Sequence, residues 1–465
     1  MSTQDPRARA RTGEEARARV PPEAHAELST AGRPGAVRVL ADQAGTRVPE
    51  LVPIRHTRMT ASPFAFFRGA AAVMAGDLSG TPVSGLDVRL CGDAHLANFG
   101  MFASPERALL FDINDFDETY PGPWEWDVKR LTASLVVAGR ENSFSGKQTR
   151  KVVVAAVRRY RDAMAAFAAL GNLAVWYSRM DVEKAQRLLG DQLDPRIRKN
   201  LDRSVTRARR RDHLRALDKL TELVDGRRRI VADPPLVVPV SQLAAGLRRD
   251  QVESTVEGIL LEYATSLDPG LRQLVGSYTF EDMARKVVGV GSVGTRCWIV
   301  LMRGRDDEDP LFLQVKEAQE SVLARHLGPN PHSTEGERVV AGQRIMQAAS
   351  DVFLGWHRTT GLDGRTRDFF VRQLHDWKGS ATIETMSPKG LRLYAELCAW
   401  TLARAHARSG DRIAIAAYLG DDDDLPQAFA DFAHFCADLN ELDHATFSAA
   451  VAAGELAGTA GGTGS

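Results

Sequence analysis

The spacing of hydrophobic and polar positions changes twice along this chain. Residues 131–223 repeat their apolar positions at helical intervals, which predicts a helical subdomain. Residues 286–302 and 310–318 are instead apolar, β-branched runs beside turn residues, and they predict strands. Helical spacing returns over residues 390–408 and 426–435. The chain is therefore predicted to be helical, then β-rich, then helical again, which is an α+β pattern.

This order divides the chain into segments with different expected roles. Residues 1–45 are rich in Arg, Ala, Pro and Glu without apolar periodicity, and residues 453–465 are mostly Ala, Gly, Thr and Ser. Both ends are therefore predicted to be disordered. Between them we expect a helical lobe with polar loops over residues 46–275 and a β-rich lobe over residues 276–378. Residues 379–452 would form a helical segment that completes the first lobe.

The net charge and the cysteine content limit which kinds of partner and compartment are expected. The 465 residues carry 60 Lys and Arg against 60 Asp and Glu, a formal net charge of +0. This balance provides no global attraction for nucleic acid or an anionic membrane, so neither is an expected partner. Without an apolar run of membrane-spanning length or a secretory signal, we expect a cytoplasmic protein. The cysteines, Cys91, Cys297, Cys398 and Cys436, lack paired spacing and are expected to be free thiols.

A dense group of polar side chains occupies residues 91–131. They are Asp93, His95, Asn98, Asp112, Asn114, Asp115, Asp117, Glu118 and Asp127. Amide and carboxylate oxygens on two loops that flank a short predicted strand, residues 108–111, are the ligands that Mg²⁺ prefers. A carboxylate that does not bind the metal can act as a base. Two other interpretations stay open at this point, a set of solvated turns and a metal-dependent phosphohydrolase.

Short motifs within this segment resemble those of a known enzyme class. Residues 92–98, Gly-Asp-Ala-His-Leu-Ala-Asn, resemble the G-D-x-H-x-x-N catalytic loop of aminoglycoside and choline phosphotransferases, the small-molecule branch of the protein-kinase-like fold. Residues 115–117, Asp-Phe-Asp, resemble the metal-binding motif of that class, and residues 122–127 resemble the stretch that follows it. The resemblance implies a two-lobed fold with a mostly helical large lobe and a small β-rich lobe.

The resemblance also implies roles for individual side chains. The catalytic residues would be Asp93, His95 and Asn98, and the metal ligands would be Asn98, Asp115 and Asp117. Asp93 would orient or deprotonate the acceptor hydroxyl, while His95 would form hydrogen bonds within the loop. Asp127 would brace the catalytic loop, and Asp112 or Asp117 would be available for a second metal contact.

A second resemblance extends over nearly the whole chain. The sequence is similar to a bacterial family known as domain of unknown function 2252 through the segments RMTASPFAFFRGAA, CGDAHLANFG, NDFDETYPGPWEWDVKRL and FVRQLHDWKGS. That family implies a bacterial protein but assigns no chemistry. The expected activity therefore depends on the phosphotransferase motifs.

A glycine-rich stretch lies in the predicted β-rich lobe. A G-x-G-x-x-G pattern includes Gly289, Gly291, Ser292 and Gly294, and dinucleotide-binding folds and ordinary turns also use such a pattern. A dinucleotide-binding fold would continue as a helix, whereas residues 295–302 are strand-like. The context therefore favours a hairpin loop that folds over phosphates, as in kinases.

Lys316 follows in a strand-like segment and resembles the strand lysine that contacts nucleotide phosphates in kinases. The alternative is a lysine on an edge strand that points to solvent. Its acidic partner is expected on a following helix, with Glu337 as the choice and Glu335 and Glu320 as rivals. Residues 369–380 would form either the hinge between the lobes, whose backbone would bind adenine, or a plain connection from strand to helix.

The order of these motifs differs from that of kinases, in which the glycine loop and the lysine come before the catalytic loop. A circular permutation resolves the difference and predicts that residues 286–318 lie over Asp93 and Asp115. Residues 391–408 would then be the helix that leads into the catalytic loop. A competing interpretation keeps the usual order and assigns residues 406–411 as the catalytic loop.

The motifs together predict a kinase-like phosphotransferase that uses ATP and Mg²⁺. It would move the γ-phosphoryl group to an unidentified hydroxyl acceptor, expected to be a small molecule. The glycine loop, Lys316 and Glu337 would form the nucleotide site. Two alternatives remain open, a nucleotide-binding regulatory protein without turnover and a metal-dependent phosphohydrolase.

Overall fold

A computed structural model describes residues 5–189, 195–209, 213–243, 249–287, 289–361, 364–374, 377 and 379–456. Helices hold 55% of the residues and strands 17%, so the chain is an α+β protein. No helix within these described ranges has the length and apolar character needed to cross a membrane.

The secondary structure runs through the described residues as follows. The helices are α1 Pro6–Arg19, α2 Ala36–Ala44, α3 Val52–Met59, α4 Pro63–Gly69, α5 Ala71–Ser79, α6 Trp124–Glu141, α7 Gly146–Ala168, α8 Asn172–Tyr177, α9 Val182–Leu189, α10 Pro195–Arg209, α11 His213–Leu220, α12 Val240–Leu243, α13 Arg249–Ala264, α14 Pro269–Gly276, α15 Ala324–Leu327, α16 Glu335–Met346, α17 Pro388–Ser409, α18 Arg412–Leu419 and α19 Asp424–Ala452. The strands are β1 Asp87–Leu90, β2 Phe99–Ala103, β3 Leu109–Ile113, β4 Tyr120–Pro123, β5 Met180–Asp181, β6 Thr221–Val224, β7 Arg227–Ile230, β8 Val237–Pro239, β9 Thr279–Lys286, β10 Cys297–Arg303, β11 Pro310–Ala318, β12 Gly355–Thr360 and β13 Thr366–Gln373.

The β-rich lobe is built on a six-stranded antiparallel sheet with the strand order β12-β13-β11-β10-β9-β8. β9 and β10 form a hairpin whose connecting loop, residues 287–296, contains the glycine-rich stretch. β11 lies between β10 and β13, and this central position buries every residue in it, including the polar Gln314, Lys316 and Glu317. This central position excludes the edge-strand alternative for Lys316.

Residues that the sequence assigned to the helical lobe also contribute to this sheet. β8 forms one edge of it. α13 packs on it through Leu260 and Tyr263, which share an apolar cluster with Val300 and Leu313. The lobe boundary expected after residue 275 therefore lies inside one packed unit. Helical periodicity shows that a face is buried but not which lobe covers it.

The large lobe packs its helices around α6, with α7 against α17 and α19 against α6. Trp124, the first residue of α6, is fully buried and stacks on Tyr160 with 5.6 Å between ring centroids. Phe429 of α19 meets the same indole edge-on at 6.0 Å. The short pairs β1–β4 and β2–β3 carry the polar segment on this helical base.

The N-terminal residues pack as helix, in contrast to the disorder expected over residues 1–45. α1 lies on α18, where a side chain at Gly13 would collide with the carbonyl of Ala414. Arg9 forms an ion pair with Asp411 at 2.7 Å. These two residues are 402 positions apart in the sequence. The composition of residues 1–45 carries no information about contacts with residues so far away in the sequence. The prediction of disorder was therefore wrong for this segment.

The C-terminal segment for which we expected disorder, residues 453–465, begins where α19 ends. Leu456 is still buried there, in an apolar cluster with Leu40 and Phe66. Residues 457–465 lie outside the described residues.

A buried ion pair ties the β2–β3 hairpin to α17. Arg404 Nη2 lies 2.5 Å from Asp112 Oδ1, and both side chains are 1% exposed. Asp112 also accepts hydrogen bonds from the backbone N–H groups of Ile113 and Ala348. Burial raises the pKa of Asp112, so its charged form depends on the arginine. Asp112 is therefore a structural anchor below the cleft and does not supply the second metal contact suggested for it.

Arg404→Met removes the cation and leaves a buried carboxylate without its partner. We expect the free energy of unfolding at pH 7, measured in urea, to fall by roughly 3–5 kcal/mol. The double variant Arg404→Met with Asp112→Asn should recover most of this loss, because it removes both charges. A single variant as stable as the wild type would show that the pair does not anchor the hairpin.

Candidate functional site

A cleft between the two lobes contains most of the side chains that the motifs indicated. The space within it, counted together with the open solvent at its mouth, is about 1400 Å³. Its lining includes Asp93, His95, Asn98, Asp115, Asp117, Gly289, Gly291 and Ser292. The fold thus brings the glycine loop over the polar segment, although the two are far apart in the sequence.

The loop that was predicted to be catalytic, residues 92–98, is braced from α6. Asp127 accepts hydrogen bonds from the backbone N–H groups of Cys91 at 2.7 Å and Gly92 at 3.0 Å. His406 of α17 contacts the same carboxylate with Nε2 at 3.2 Å. Gly92 has a φ of +82°, and a side chain there would collide with the carbonyl of Glu118. The turn into the loop therefore needs glycine and depends on a buried acceptor.

Asp93 faces the cleft with a side chain that is 20% exposed. Its Oδ1 accepts a hydrogen bond from Arg130 Nε at 2.7 Å and lies 2.6 Å from Arg130 Nη2, whereas Oδ2 accepts no hydrogen bond among the described residues. His95 Nε2 lies 3.6 Å from that second oxygen. Burial lowers the pKa of His95 to about 4, so the imidazole is neutral at pH 7. Asp93 is thus the ionisable group placed to receive a proton.

Asn98 ties the catalytic loop to the loop after β3. Its Nδ2 donates to the backbone oxygens of Asp93 at 3.1 Å and Asp115 at 3.0 Å, and its Oδ1 accepts from the N–H of Asp115 at 2.8 Å. One lone pair of Oδ1 remains after these bonds. Asn98 therefore fixes the spacing of the two loops and keeps one oxygen lone pair for a further ligand.

Lys316 reaches the two aspartates from the opposite lobe. Its Nζ lies 2.6 Å from Asp117 Oδ2 and 3.3 Å from Asp115 Oδ1, and its side chain is 2% exposed. Burial alone would raise the pKa of Asp115, but the charges of Lys316 and Arg372 outweigh it and lower that pKa. Burial and the neighbouring Asp115 charge raise the pKa of Asp117. The cations Lys316 and Arg372 therefore favour the charged form of Asp115, whereas burial and its neighbour oppose the charged form of Asp117.

This donor set fits a cation that arrives with phosphate groups. Asp117 Oδ1 is buried and accepts no hydrogen bond within the described residues. Mg²⁺ commonly binds one or two carboxylates and completes its shell with phosphate oxygens and water. In the described part of the chain, no group of three or more His, Cys, Asp or Glu side chains could hold a metal alone. The site suits a metal–phosphate complex better than a permanently bound structural ion.

The glycine loop lies over these aspartates and is held from outside the sheet. Ser292 Oγ donates to Asp117 Oδ2 at 3.2 Å. At the base of the loop, Gly294 has a φ of +93°, and its carbonyl accepts from the N–H of Val48 at 2.7 Å. Arg47 Nη1 donates to the carbonyl of Val293 at 2.5 Å. The segment before α3 therefore fixes the loop in its position over the cleft.

The prediction that Glu337 pairs with Lys316 was wrong. Glu337 accepts hydrogen bonds from the backbone and hydroxyl of Ser333, and it does not contact Lys316. Its rival Glu335 forms an ion pair with Arg338 at 2.5 Å. The guanidinium of Arg338, on the same helix, donates to the backbone oxygens of Asp117 and Thr119 in the loop between β3 and β4. Periodicity could not distinguish which side chain of α16 faces the lysine.

The segment after β13 connects the lobes. Met101 and Gly379 exchange backbone hydrogen bonds at 2.7 Å and 2.9 Å, which joins this segment to β2. The Gly379 amide and carbonyl are thus already paired and are not available to bind adenine. Three residues of the expected hinge, His375, Asp376 and Lys378, lie outside the described residues.

The competing catalytic loop over residues 406–411 does not line the cleft. His406 is completely buried, where its ring contacts Asp127 and Tyr160. Asp411 caps α18 by accepting from the N–H groups of Ile413 and Ala414. Both residues have structural partners away from Asp93.

The motifs did not identify three arginines of the cleft as site residues, namely Arg47, Arg68 and Arg372. Arg372 Nη1 donates to the carbonyl of Asn114 at 3.0 Å, and Nε donates to Gln314 Oε1 at 2.9 Å. The signal that could have marked Arg372 is its position directly after the buried apolar run at residues 369–371. No comparable pattern marks Arg47 or Arg68, because they face the cleft only through tertiary packing.

Asp127→Ala removes the acceptor for two backbone amides of the catalytic loop. Because each bond to a charged group contributes about 1.5–3 kcal/mol, we expect a similar or larger loss of stability in urea denaturation. Hydrogen exchange at residues 91 and 92 should become faster than in the wild type. The exposed Asp438→Ala is the matched control and should leave both measurements unchanged. Unaltered exchange in Asp127→Ala would contradict the bracing role.

Comparison with known proteins places the whole candidate site within one matched region. The family model described as an uncharacterized protein conserved in bacteria, domain of unknown function 2252, matches residues 47–450. No curated protein and no solved structure matches the chain. The matched region contains the catalytic loop, both aspartates, the glycine loop and Lys316. This chain therefore belongs to the bacterial family called domain of unknown function 2252.

Proposed function

We propose that this protein is an ATP- and Mg²⁺-dependent phosphotransferase with protein-kinase-like lobes in permuted order. The observation that carries the proposal is the contact of Lys316 with Asp115 and Asp117 below the glycine loop. Lys316 and Asp115 are 201 positions apart in the sequence and come from different lobes. In kinases the strand lysine and the metal-binding aspartate serve the same nucleotide phosphates.

The layout of the small lobe supports this proposal. A glycine loop joins β9 to β10, the lysine lies on β11, and α16 follows before β12. Protein kinases have a glycine loop, a strand lysine and a helix in the same succession. The departure is that Lys316 pairs with two aspartates of the large lobe and not with a glutamate of the helix.

The contact between α17 and β1 supports the permuted order. The Ser409 hydroxyl, at the end of α17, accepts a hydrogen bond from the N–H of Arg89 at 3.0 Å. A side chain at Gly410 would lie 2.9 Å from the carbonyl oxygen of Asp87, where β1 begins. The helix therefore ends beside the strand that enters the catalytic loop, which is where an unpermuted chain would be continuous.

The proposed reaction is an in-line displacement. The acceptor oxygen bonds to the γ-phosphorus, the bond from that phosphorus to the β–γ bridging oxygen breaks, and ADP leaves. The hydroxyl proton passes to Asp93 through Oδ2, because Arg130 occupies only Oδ1. The same ion pair orients the carboxylate towards the cleft.

The remaining residues position the phosphates. Asn98, Asp115 and Asp117 would hold Mg²⁺, which when bound neutralises charge on the transferred group. Lys316 and the backbone N–H groups of the glycine loop donate to phosphate oxygens. Asn98 also keeps the catalytic and metal loops at one spacing.

Two other functions are less well supported. A metal-dependent phosphohydrolase normally holds its metals in a multi-ligand cluster, and the described residues contain no such group. A regulatory protein without turnover has no need for a charged group in the position of Asp93, whose second oxygen faces the cleft. Phosphoryl transfer uses all of these features.

Nucleotide binding is the first expected outcome. Calorimetry should show ATP binding to the wild type that depends on Mg²⁺. Asp115→Asn should weaken it by about tenfold or more, or about 1.4 kcal/mol, because one carboxylate charge near the metal is lost. The exposed Asp438→Asn is the control and should bind like the wild type. Absence of binding at millimolar ATP would contradict the proposed function.

Lys316→Met separates phosphoryl transfer from metal-dependent hydrolysis. Transfer from γ-labelled ATP to sugars and amino alcohols should fall by roughly 100-fold or more, because the lysine charge no longer stabilises the phosphates. The exposed Lys389→Met should have no effect. Metal-dependent phosphoester hydrolysis that is unaffected by Lys316→Met would instead favour the phosphohydrolase.

A further inference from the structure

One wall of the cleft is formed by the junction of α4 and α5, which contributes Arg68, Gly69 and Ala71. This wall is attached directly to the catalytic loop. Arg130, whose guanidinium holds Asp93, also donates from Nη2 to the carbonyl of Phe67 at 2.8 Å. Its guanidinium stacks over the Phe67 ring at 4.1 Å. Arg68 is therefore held next to the proposed base by the residue before it.

Arg68 has a guanidinium that the described residues leave partly unsatisfied. The side chain is half-buried, and Nε is buried without a hydrogen-bond partner among the described residues. Burial lowers the pKa of Arg68, while the charges of Asp93 and Glu384 oppose that shift. Asp93 is already bound by Arg130, and Glu384 is exposed. A desolvated donor without a partner costs stability, which a ligand anion would recover.

The position of Arg68 distinguishes it from the cations that serve the nucleotide. Lys316 contacts Asp115 and Asp117, and the charges that act on Arg47 are those of Glu118, Asp117 and Glu317. Arg68 instead lines the cleft together with Asp93, whose neighbour Arg130 binds the carbonyl of Phe67. The tip of the glycine loop approaches the same point, since a side chain at Gly291 would lie 3.3 Å from the Arg68 carbonyl oxygen. Arg68 thus lines the part of the cleft that lies between Asp93 and the glycine loop.

We propose that the acceptor is a small hydroxyl compound that also carries an anionic group, a phosphate or a carboxylate, and that Arg68 binds this anion beside Asp93. This inference rests on the proposed phosphoryl transfer. A planar guanidinium forms two parallel bonds to either anion, which would fix the acceptor hydroxyl relative to Asp93. Neutral acceptors lack this attachment and bind more weakly.

The test uses inorganic phosphate and acetate as probes for the anion site. Each is titrated calorimetrically into the full chain saturated with Mg²⁺ and a non-hydrolysable ATP analogue. At least one should bind the wild type and bind Arg68→Gln about tenfold or more weakly. Arg68→Lys should recover part of the affinity, because it keeps the charge without the planar fork. Arg325→Gln, on the exposed face of α15, should bind like the wild type.

The two probes also identify the anion, because stronger phosphate binding indicates a phosphorylated acceptor and stronger acetate binding indicates a carboxylate. Unchanged affinity for the ATP analogue in Arg68→Gln shows that the variant is folded. Transfer assays with a neutral hexose, its 6-phosphate and its carboxylate form should follow the same preference, with a raised KM for the anionic acceptor in Arg68→Gln.

Failure of this inference differs from failure of the proposed function. If the ATP analogue binds but neither anion distinguishes wild type from Arg68→Gln, the inference is wrong and the phosphotransferase proposal stands. If the analogue does not bind, the phosphotransferase proposal fails, and the acceptor role of Arg68 fails with it even where phosphate binding depends on that residue.

Discussion

The contact of Lys316 with Asp115 and Asp117 is the constraint on which the arrangement of the two lobes depends. An ammonium group on a central strand is removed from water at a cost on the order of several kcal/mol, which only nearby carboxylates offset. Those carboxylates belong to the other lobe, so neither lobe satisfies its buried charges alone. The sheet must therefore lie over the polar loops, and the cleft is the space that remains between them.

Around that contact, the loops are held by side chains that bind backbone groups. Asp127 accepts from the start of the loop that carries Asp93, and Asn98 connects that loop to the one that carries Asp115. Arg338 donates hydrogen bonds to the backbone oxygens of Asp117 and Thr119. Asp127 and Arg338 have their charged groups paired and form the base of the cleft, while Asn98 keeps one oxygen lone pair for a ligand. The groups that face the cleft, Asp93 and Arg68, keep open positions, and a substrate would use them.

Elements with strong local patterns could be predicted from the sequence, and contacts between distant elements could not. Residues 310–318 were expected to be a strand and form β11, and the helix expected over residues 391–408 lies within α17. The glycine stretch was expected in a hairpin, and it connects β9 to β10. Glu337 was wrong as the lysine partner, because helical periodicity does not fix rotation about the helix axis at a single residue.

The sequence by itself determined that the chain is α+β and that its polar chemistry is concentrated in two short loops, since local propensity and motif spacing are properties of neighbouring residues. Only the tertiary structure decided which charges meet. Lys316 joins two aspartates, Asp112 is buried against Arg404, and Arg68 stands beside Asp93. Each of these three contacts depends on packing between segments that are separated by many residues. Burial also strengthens the interactions between these charges, and the sequence does not show which charges are buried together.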